Sequence, residues 1–217
     1  MTFIVLFGAQ GSGKGTQARL IQTQMGIPQV ATGDLFRYNR KYNTELGQLA
    51  SSYIDKGELV PDSVTNAMVK ERLSQDDAQG GAILDGYPRN IAQAQALEEI
   101  LATPAQAVYI DVPQAELMRR LRGRRICKSC QASYHIVFHP PEQEGVCDNC
   151  GGRLYQRGDD KEEATIARRL ELYFEETTPV IEWYRQRGLL VEVDGTGPID
   201  EVNQAIITRL TALKGGD

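Results

Sequence analysis

The sequence predicts an α/β fold: a doubly wound parallel sheet flanked by helices, carrying one small helical insert and one small β-rich insert. Three observations predict it. Short apolar runs alternate with segments of helical periodicity. The first run, Phe3-Ile4-Val5-Leu6-Phe7, is apolar at every position, as a strand buried on both faces must be. That run leads into a glycine-rich turn, Gly8 to Thr16, which opens a helix.

The elements follow in order. Thr16 to Met25 reads as a helix with Ala18, Ile21 and Met25 along one face, stopped by Gly26 and Pro28. Gln29 to Ala31 is a short second strand. Residues 34–56 read as two short polar helices joined near Asn43-Thr44. Pro61 opens another helix, with Val64, Met68 and Leu73 as its apolar positions. Ala82 to Leu84 is a strand ending at Asp85. Ile91, Ala94, Leu97 and Leu101 have helical spacing, and Ala107 to Ile110 is the next strand. Pro113 suits the first position of a helix that runs into Arg119-Arg120-Leu121-Arg122-Gly123-Arg124-Arg125. Residues 126–157 break the rhythm with four cysteines, Pro140-Pro141 and short aromatic segments, as a small β-rich insert would. Helices are expected over Glu162–Glu176 and again over Pro179–Arg187, ended by Gly188. Leu189 to Val193 is a last strand and 199–213 a last helix. In such a sheet ligands bind beyond the C-terminal ends of the strands.

The chain has 217 residues, with 41% hydrophobic and 24% charged, which suits one compact unit with inserts. Its apolar runs are too short for a membrane span. Met1-Thr2-Phe3 lacks a basic leader, so no signal peptide is read and the expected location is cytoplasmic. The net charge of −5 argues against nonspecific binding to nucleic acid or to an anionic membrane.

Residues 8–16 read GAQGSGKGT, and Gly8, Gly13 and Lys14 match the G-x-x-x-x-G-K core of a phosphate-binding loop. Glycines let consecutive N–H groups curl around an anion, and the helix start adds its positive end. Lys14 supplies a full charge to the phosphate oxygens. The residue after the lysine is Gly15, with Thr16 next, so the usual hydroxyl ligand for magnesium is absent or displaced. Asp85, at a strand end beside this loop, is placed to hold magnesium through water.

Cys127, Cys130, Cys147 and Cys150 form two C-x-x-C pairs sixteen residues apart. Without an export signal this is a structural zinc signature: two knuckles give four thiolates and leave no open catalytic position. His135 and His139 lie nearby, but four thiolates suffice. A nucleic-acid-binding ribbon would want a basic stripe, whereas residues 126–157 are balanced in charge. A GTP-hydrolysing switch would want Ser or Thr directly after Lys14 and an Asn-Lys-x-Asp run, and neither is present.

GAQGSGKGT, then Ala31-Thr32-Gly33-Asp34-Leu35-Phe36-Arg37, then LDGYPR with Gln93, resemble the nucleoside monophosphate kinases and specifically the adenylate kinases. The likeness runs on through Gly123-Arg124-Arg125, Arg157-Gly158-Asp159-Asp160 and Arg169-Leu170, and the cysteine insert resembles the zinc-bearing lid of the long bacterial form. The resemblance implies ATP + AMP ⇌ 2 ADP with Mg²⁺, a structural Zn²⁺, and a monomer. It implies a core of 1–31, 62–122 and 161–217, an AMP-binding arm of 32–61 and a lid of 123–160. Lys14, Arg89, Arg124, Arg157 and Arg169 would be the catalytic cations. ATP would lie on Gly11, Ser12, Gly13, Lys14, Gly15, Thr16, Arg120, Arg124, Ser133 and Tyr134. AMP would meet Thr32, Arg37, Glu58, Val60, Gly86, Arg89, Gln93, Arg157 and Arg169. Register through Tyr173, Thr177 and Pro179 favours Arg169 over Arg168 as the bridging arginine. Gln10 stands where proline is usual, which costs the loop some stiffness.

Overall fold

The computed structural model describes residues 1–54, 60–101 and 103–214. Its main sheet contains β1 (Thr2–Phe7), β2 (Gln29–Ala31), β3 (Gly81–Asp85), β4 (Gln106–Asp111) and β8 (Leu190–Asp194). The order is β2-β3-β1-β4-β8 and every neighbouring pair is parallel. β1 is therefore central. The chain moves to one side for β2 and β3, then to the other for β4 and β8. The crevice at the end of β1 is the switch point where ligands bind in such sheets. Register brings Leu6 opposite both Asp85 and Val108, so the glycine-rich loop starts beside Asp85.

Strand alternation divides the core into two layers. Ile4 and Leu6 point to a layer built with Ala18 and Ile21 of α1 (Lys14–Met25), Leu117 and Leu121 of α6 (Gln114–Gly123), and Val202 and Ile206 of α8 (Ile199–Lys214). Phe3, Val5 and Phe7 point to the other, built with Val69 and Leu73 of α4 (Asp62–Leu73) and Ala94 and Leu97 of α5 (Ile91–Leu101). Burying each large aliphatic side chain contributes about 1.5–3 kcal/mol.

α7 (Glu163–Gln186) corrects the expectation of two helices: it runs unbroken through Pro179. A helix-interior proline costs about 3 kcal/mol. Here both flanks are held by packing, because Ile166 and Leu170 belong to the first core layer and Val180, Ile181 and Tyr184 to the second. Tertiary burial overrides the local break. Pro113 is also corrected. It caps α6 with extended backbone (ψ 142°), and its carbonyl accepts from the N–H groups of Glu116 and Leu117.

Two short helices and a small β-rich segment interrupt the alternation; residues 55 and 56 of the expected 34–56 helical stretch lie outside the described residues. α2 (Thr32–Lys41) and α3 (Glu45–Ile54) follow β2, and Val60, Leu35 and Phe36 pack with Ala50, Val64 and Met68 in a small satellite core. β5 (Arg124–Cys127), β6 (Ser133–His135) and β7 (Leu154–Tyr155) make a three-stranded antiparallel sheet in the order β6-β5-β7.

Candidate active site

The loop between β1 and α1 has the conformation its glycines allow. Gly8 has φ 152°, and a Cβ there would stand 2.4 Å from Ser12 Oγ. Gly13 has φ 93° and caps α1, with its carbonyl accepting from the Thr16 and Gln17 N–H groups. Lys14, 21% exposed, places Nζ 3.7 Å from Asp85 Oδ1. Burial lowers the Lys14 pKa; Asp85 opposes that, while Arg124 and Arg89 add to it. The lysine thus lies within electrostatic reach of Arg124 on β5 and of Arg89 in the loop after β3. Gln29 donates to the second Asp85 oxygen at 3.1 Å. Gly15 and Thr16 follow on the first turn of α1, and a Cβ on Gly15 would lie 4.0 Å from Asp85 Oδ2.

A polar cluster lies at the end of β3. Thr32 is buried, and its hydroxyl donates to the Gly86 carbonyl at 3.0 Å. Arg89 Nε donates to the same carbonyl at 3.0 Å. Gln93 is 5% exposed; its Oε1 accepts from Arg89 N–H at 2.8 Å and its Nε2 donates to Asp62 Oδ1 at 2.6 Å. Arg37 lies on the exposed side of α2 and pairs with Asp34. Glu58 lies outside the described residues.

The third group of cations meets at the base of the small sheet. Asp160, with no exposed surface, accepts from Arg124 Nε and Nη2 at 2.8 Å each and from Arg169 Nη1 at 3.0 Å. Arg169 Nη1 also donates to the Asp159 carbonyl at 3.0 Å, and Arg157 grips Asp159 through two bonds of 3.0 and 2.8 Å. Arg168 instead points outward to Glu171. Arg120 is held by Glu116 at 2.8 Å and by the Gly195 carbonyl at 3.0 Å. Arg122, Arg185 and Arg187 form exposed ion pairs, as solvated charge does.

The family model for adenylate kinase matches residues 6–189. The adenylate kinase of Bacillus licheniformis is 53% identical over 203 residues, covering 92% of this chain and 93% of its own. That of Methanocella arvoryzae is 52% identical over 213 residues, covering 96% and 98%. That of Caldicellulosiruptor saccharolyticus is 50% identical over 211 residues, covering 95% and 98%. The chain belongs to the adenylate kinase family.

In this chain the cysteines come together. The four Sγ atoms all lie within 4.8 Å of one another, with Cys127–Cys150 and Cys130–Cys147 at 3.5 Å, and no disulfide joins them. Four thiolates at the 2.3 Å zinc bond length stand about 3.8 Å apart, so the cluster fits a tetrahedral zinc site. Each knuckle is shaped by left-handed backbone after its second cysteine, at Gln131 (φ 60°) and Gly151 (φ 68°). Tyr134 is buried among the cysteines, stacks on His139 and donates or accepts at Cys147 Sγ across 3.4 Å, so its ring faces the module's interior. Ser133 lies beside it on β6, half-buried.

Sequence reasoning missed several parts of the site. Tyr173 was only a register marker, yet its hydroxyl accepts the Gly8 N–H at 2.8 Å and so props the phosphate loop from α7. Asp160 was part of a motif with no role, and Asp62 and Asn90 were not singled out. Single polar residues carry no spacing signal; the partners named here are 28, 31, 36 and 165 positions away.

Proposed function

We propose that the protein transfers the terminal phosphoryl group of magnesium-bound ATP to AMP, reversibly, giving two ADP. The observation that supports this best is the phosphate-type loop after β1 with Lys14 set 3.7 Å from Asp85 at the end of β3, within a chain that belongs to the adenylate kinases. Phosphoryl transfer needs alignment, charge neutralisation and exclusion of water more than covalent help. In this reading residues 11–16 cradle the ATP phosphates, Asp85 orients the magnesium through water, and Arg120 lies against the ATP base. Arg37 and Arg89 hold the AMP phosphate, while Thr32 and Gln93 read its base. Arg124 and Arg157 come onto the transferring group from the lid, and Arg169 bridges. Arginine suits these roles because its planar fork grips phosphate bidentately and keeps its charge when dehydrated.

The arm 32–61 and the lid 123–160 move over the core 1–31, 62–122 and 161–217 to exclude water, which separates a kinase from a hydrolase. Cys127, Cys130, Cys147 and Cys150 hold a structural zinc that fixes the lid's shape and takes no part in the chemistry. The working form is a cytoplasmic monomer; among the described residues no helix is long and apolar enough to cross a membrane. The test is ADP formation from ATP with AMP, GMP, CMP or UMP as acceptor. AMP should be preferred by orders of magnitude. Equal turnover of another monophosphate would overturn the assignment of Thr32 and Gln93, and ADP formation with no acceptor would overturn the transfer reaction.

A further inference from the structure

A closed polar network surrounds Gln93. Two backbone N–H groups enter it: Arg89 N–H donates to Gln93 Oε1 at 2.8 Å, and Gln93 N–H donates to Asn90 Oδ1 at 2.8 Å. Two amide NH₂ groups leave it: Gln93 Nε2 donates to Asp62 Oδ1 at 2.6 Å, and Asn90 Nδ2 donates to Asp62 Oδ2 at 2.8 Å. A backbone N–H can only donate and a carboxylate can only accept, so neither amide can be turned over without breaking bonds. The chemistry of its partners fixes which end of the Gln93 amide is oxygen.

That orientation matters for base choice. An amide has one further N–H and one further lone pair to offer. Adenine presents a donor, its N6 amino group, beside ring-nitrogen acceptors; guanine presents the O6 acceptor in the same place. A glutamine free to turn over could serve either base. A glutamine held from both ends serves the one whose order matches, and meets the other with like groups opposed.

We propose that Asp62 is a specificity-determining residue that, by locking the Gln93 amide, makes the acceptor site read adenine and reject guanine. This rests on the reading of Gln93 as a base-contacting residue. Asp62 acts through Gln93 and is a positioning residue. Only a carboxylate closes the network. Asparagine would offer one acceptor and one donor to two NH₂ groups that are already fixed, so one of them must lose its partner or turn.

Asp62 also stands in the first turn of α4, where an acid favours the helix whatever Gln93 does. The experiment must separate that from base reading. kcat/KM would be measured for AMP and for GMP at saturating ATP in the wild type, Asp62→Asn, Gln93→Ala and the double variant, with Tm and the KM for ATP alongside. Asp62→Asn should shrink the preference for AMP over GMP about tenfold, the worth of about one hydrogen bond, and leave the KM for ATP unchanged. In the Gln93→Ala background the same substitution should no longer alter the preference. Should Asp62→Asn not fold, Asp62→Ala, which admits water to both NH₂ groups, carries the same expectation. An unchanged preference in a folded Asp62 variant, or an equal change with and without Gln93, overturns the proposal even if Tm falls. An unchanged preference in Gln93→Ala overturns it differently, by removing Gln93 from base reading altogether.

Discussion

Asp160→Asn should destabilise the protein more than any neighbouring acid-to-amide change. The carboxylate has no exposed surface and satisfies Arg124 through two 2.8 Å bonds and Arg169 through one of 3.0 Å. Asparagine keeps the shape, removes the charge and turns an NH₂ group toward a guanidinium. Breaking a buried ion pair from one side costs about 3–5 kcal/mol. The arginine side chains are 18% and 22% exposed, and Asp159 remains 3.2 Å from Arg169, which argues for the lower figure, about 3 kcal/mol. An unfolding entropy of about 2.1 cal/mol/K per residue gives about 0.46 kcal/mol/K for a chain of this size, so Tm should fall by about 6 °C. Calorimetry reads this directly. Asp159→Asn is the control. Its pair with Arg157 is 40% and 33% exposed, a class worth under about 1 kcal/mol, and its second partner Arg169 keeps Asp160, so its effect should stay below about 2 °C and weaken in high salt. Equal shifts for the two variants, or a shift under about 2 °C for Asp160→Asn, would refute the argument that burial of this carboxylate ties Arg124 of β5 to Arg169 of α7.

Tyr184 is buried with its hydroxyl unpartnered among the described residues, so Tyr184→Phe should stabilise by about 1 kcal/mol at neutral pH in denaturant titration. Burial raises the Tyr184 pKa and pushes Tyr109 up to about 12, so the fold keeps protons that the unfolded chain releases near pH 10. That stability is present below about pH 10 and lost as pH rises through the folded values; Tyr184→Phe should lose less of it. Lys14→Met should cut turnover by several orders of magnitude with Tm nearly unchanged, because the lysine is a poised charge in a polar cleft; near wild-type ADP formation would exclude its role. Elemental analysis should find about one zinc per chain, and chelation should lower Tm before activity is lost at low temperature. Complete loss of activity at low temperature with the fold intact, assayed with magnesium restored and recovered by zinc alone, would indicate a catalytic zinc instead.

Legibility in the sequence tracked the range of the interaction. β1 was readable because a strand buried on both faces is apolar throughout, and the loop because its glycines and Lys14 act within nine residues. The cysteine knuckles were readable for the same reason. α7 was misread as two helices because the break at Pro179 is local, whereas the packing of Ile166 and Leu170 on one side and Val180 and Tyr184 on the other is not. Tyr173, Asp160 and Asp62 were invisible because each acts on a residue far along the chain, and a lone tyrosine or aspartate has no pattern to announce it.

The proposed phosphate ligands share a further property that no single motif shows. Lys14 faces Asp85, Arg37 faces Asp34, Arg124 and Arg169 face Asp160, and Arg157 faces Asp159. Arg89 is the exception, turned to the Gly86 carbonyl. A cleft that must gather several cations for two nucleotides would repel itself when no phosphate is there, and carboxylates relieve that repulsion. The pairs are not equivalent. Asp34 and Asp159 are exposed enough for water to replace them, so Arg37 and Arg157 can be given over to a phosphate at little cost. Asp160 is buried and cannot be exchanged, but Arg124 spends only its Nε and Nη2 groups on it, and a guanidinium has five N–H donors. The buried pair therefore fixes the direction of Arg124 and leaves N–H groups unspent, as the proposed contact with the transferring phosphoryl oxygens requires. In the proposed reaction the exposed carboxylates would be placeholders that a nucleotide displaces, and the buried one the mount from which Arg124 reaches.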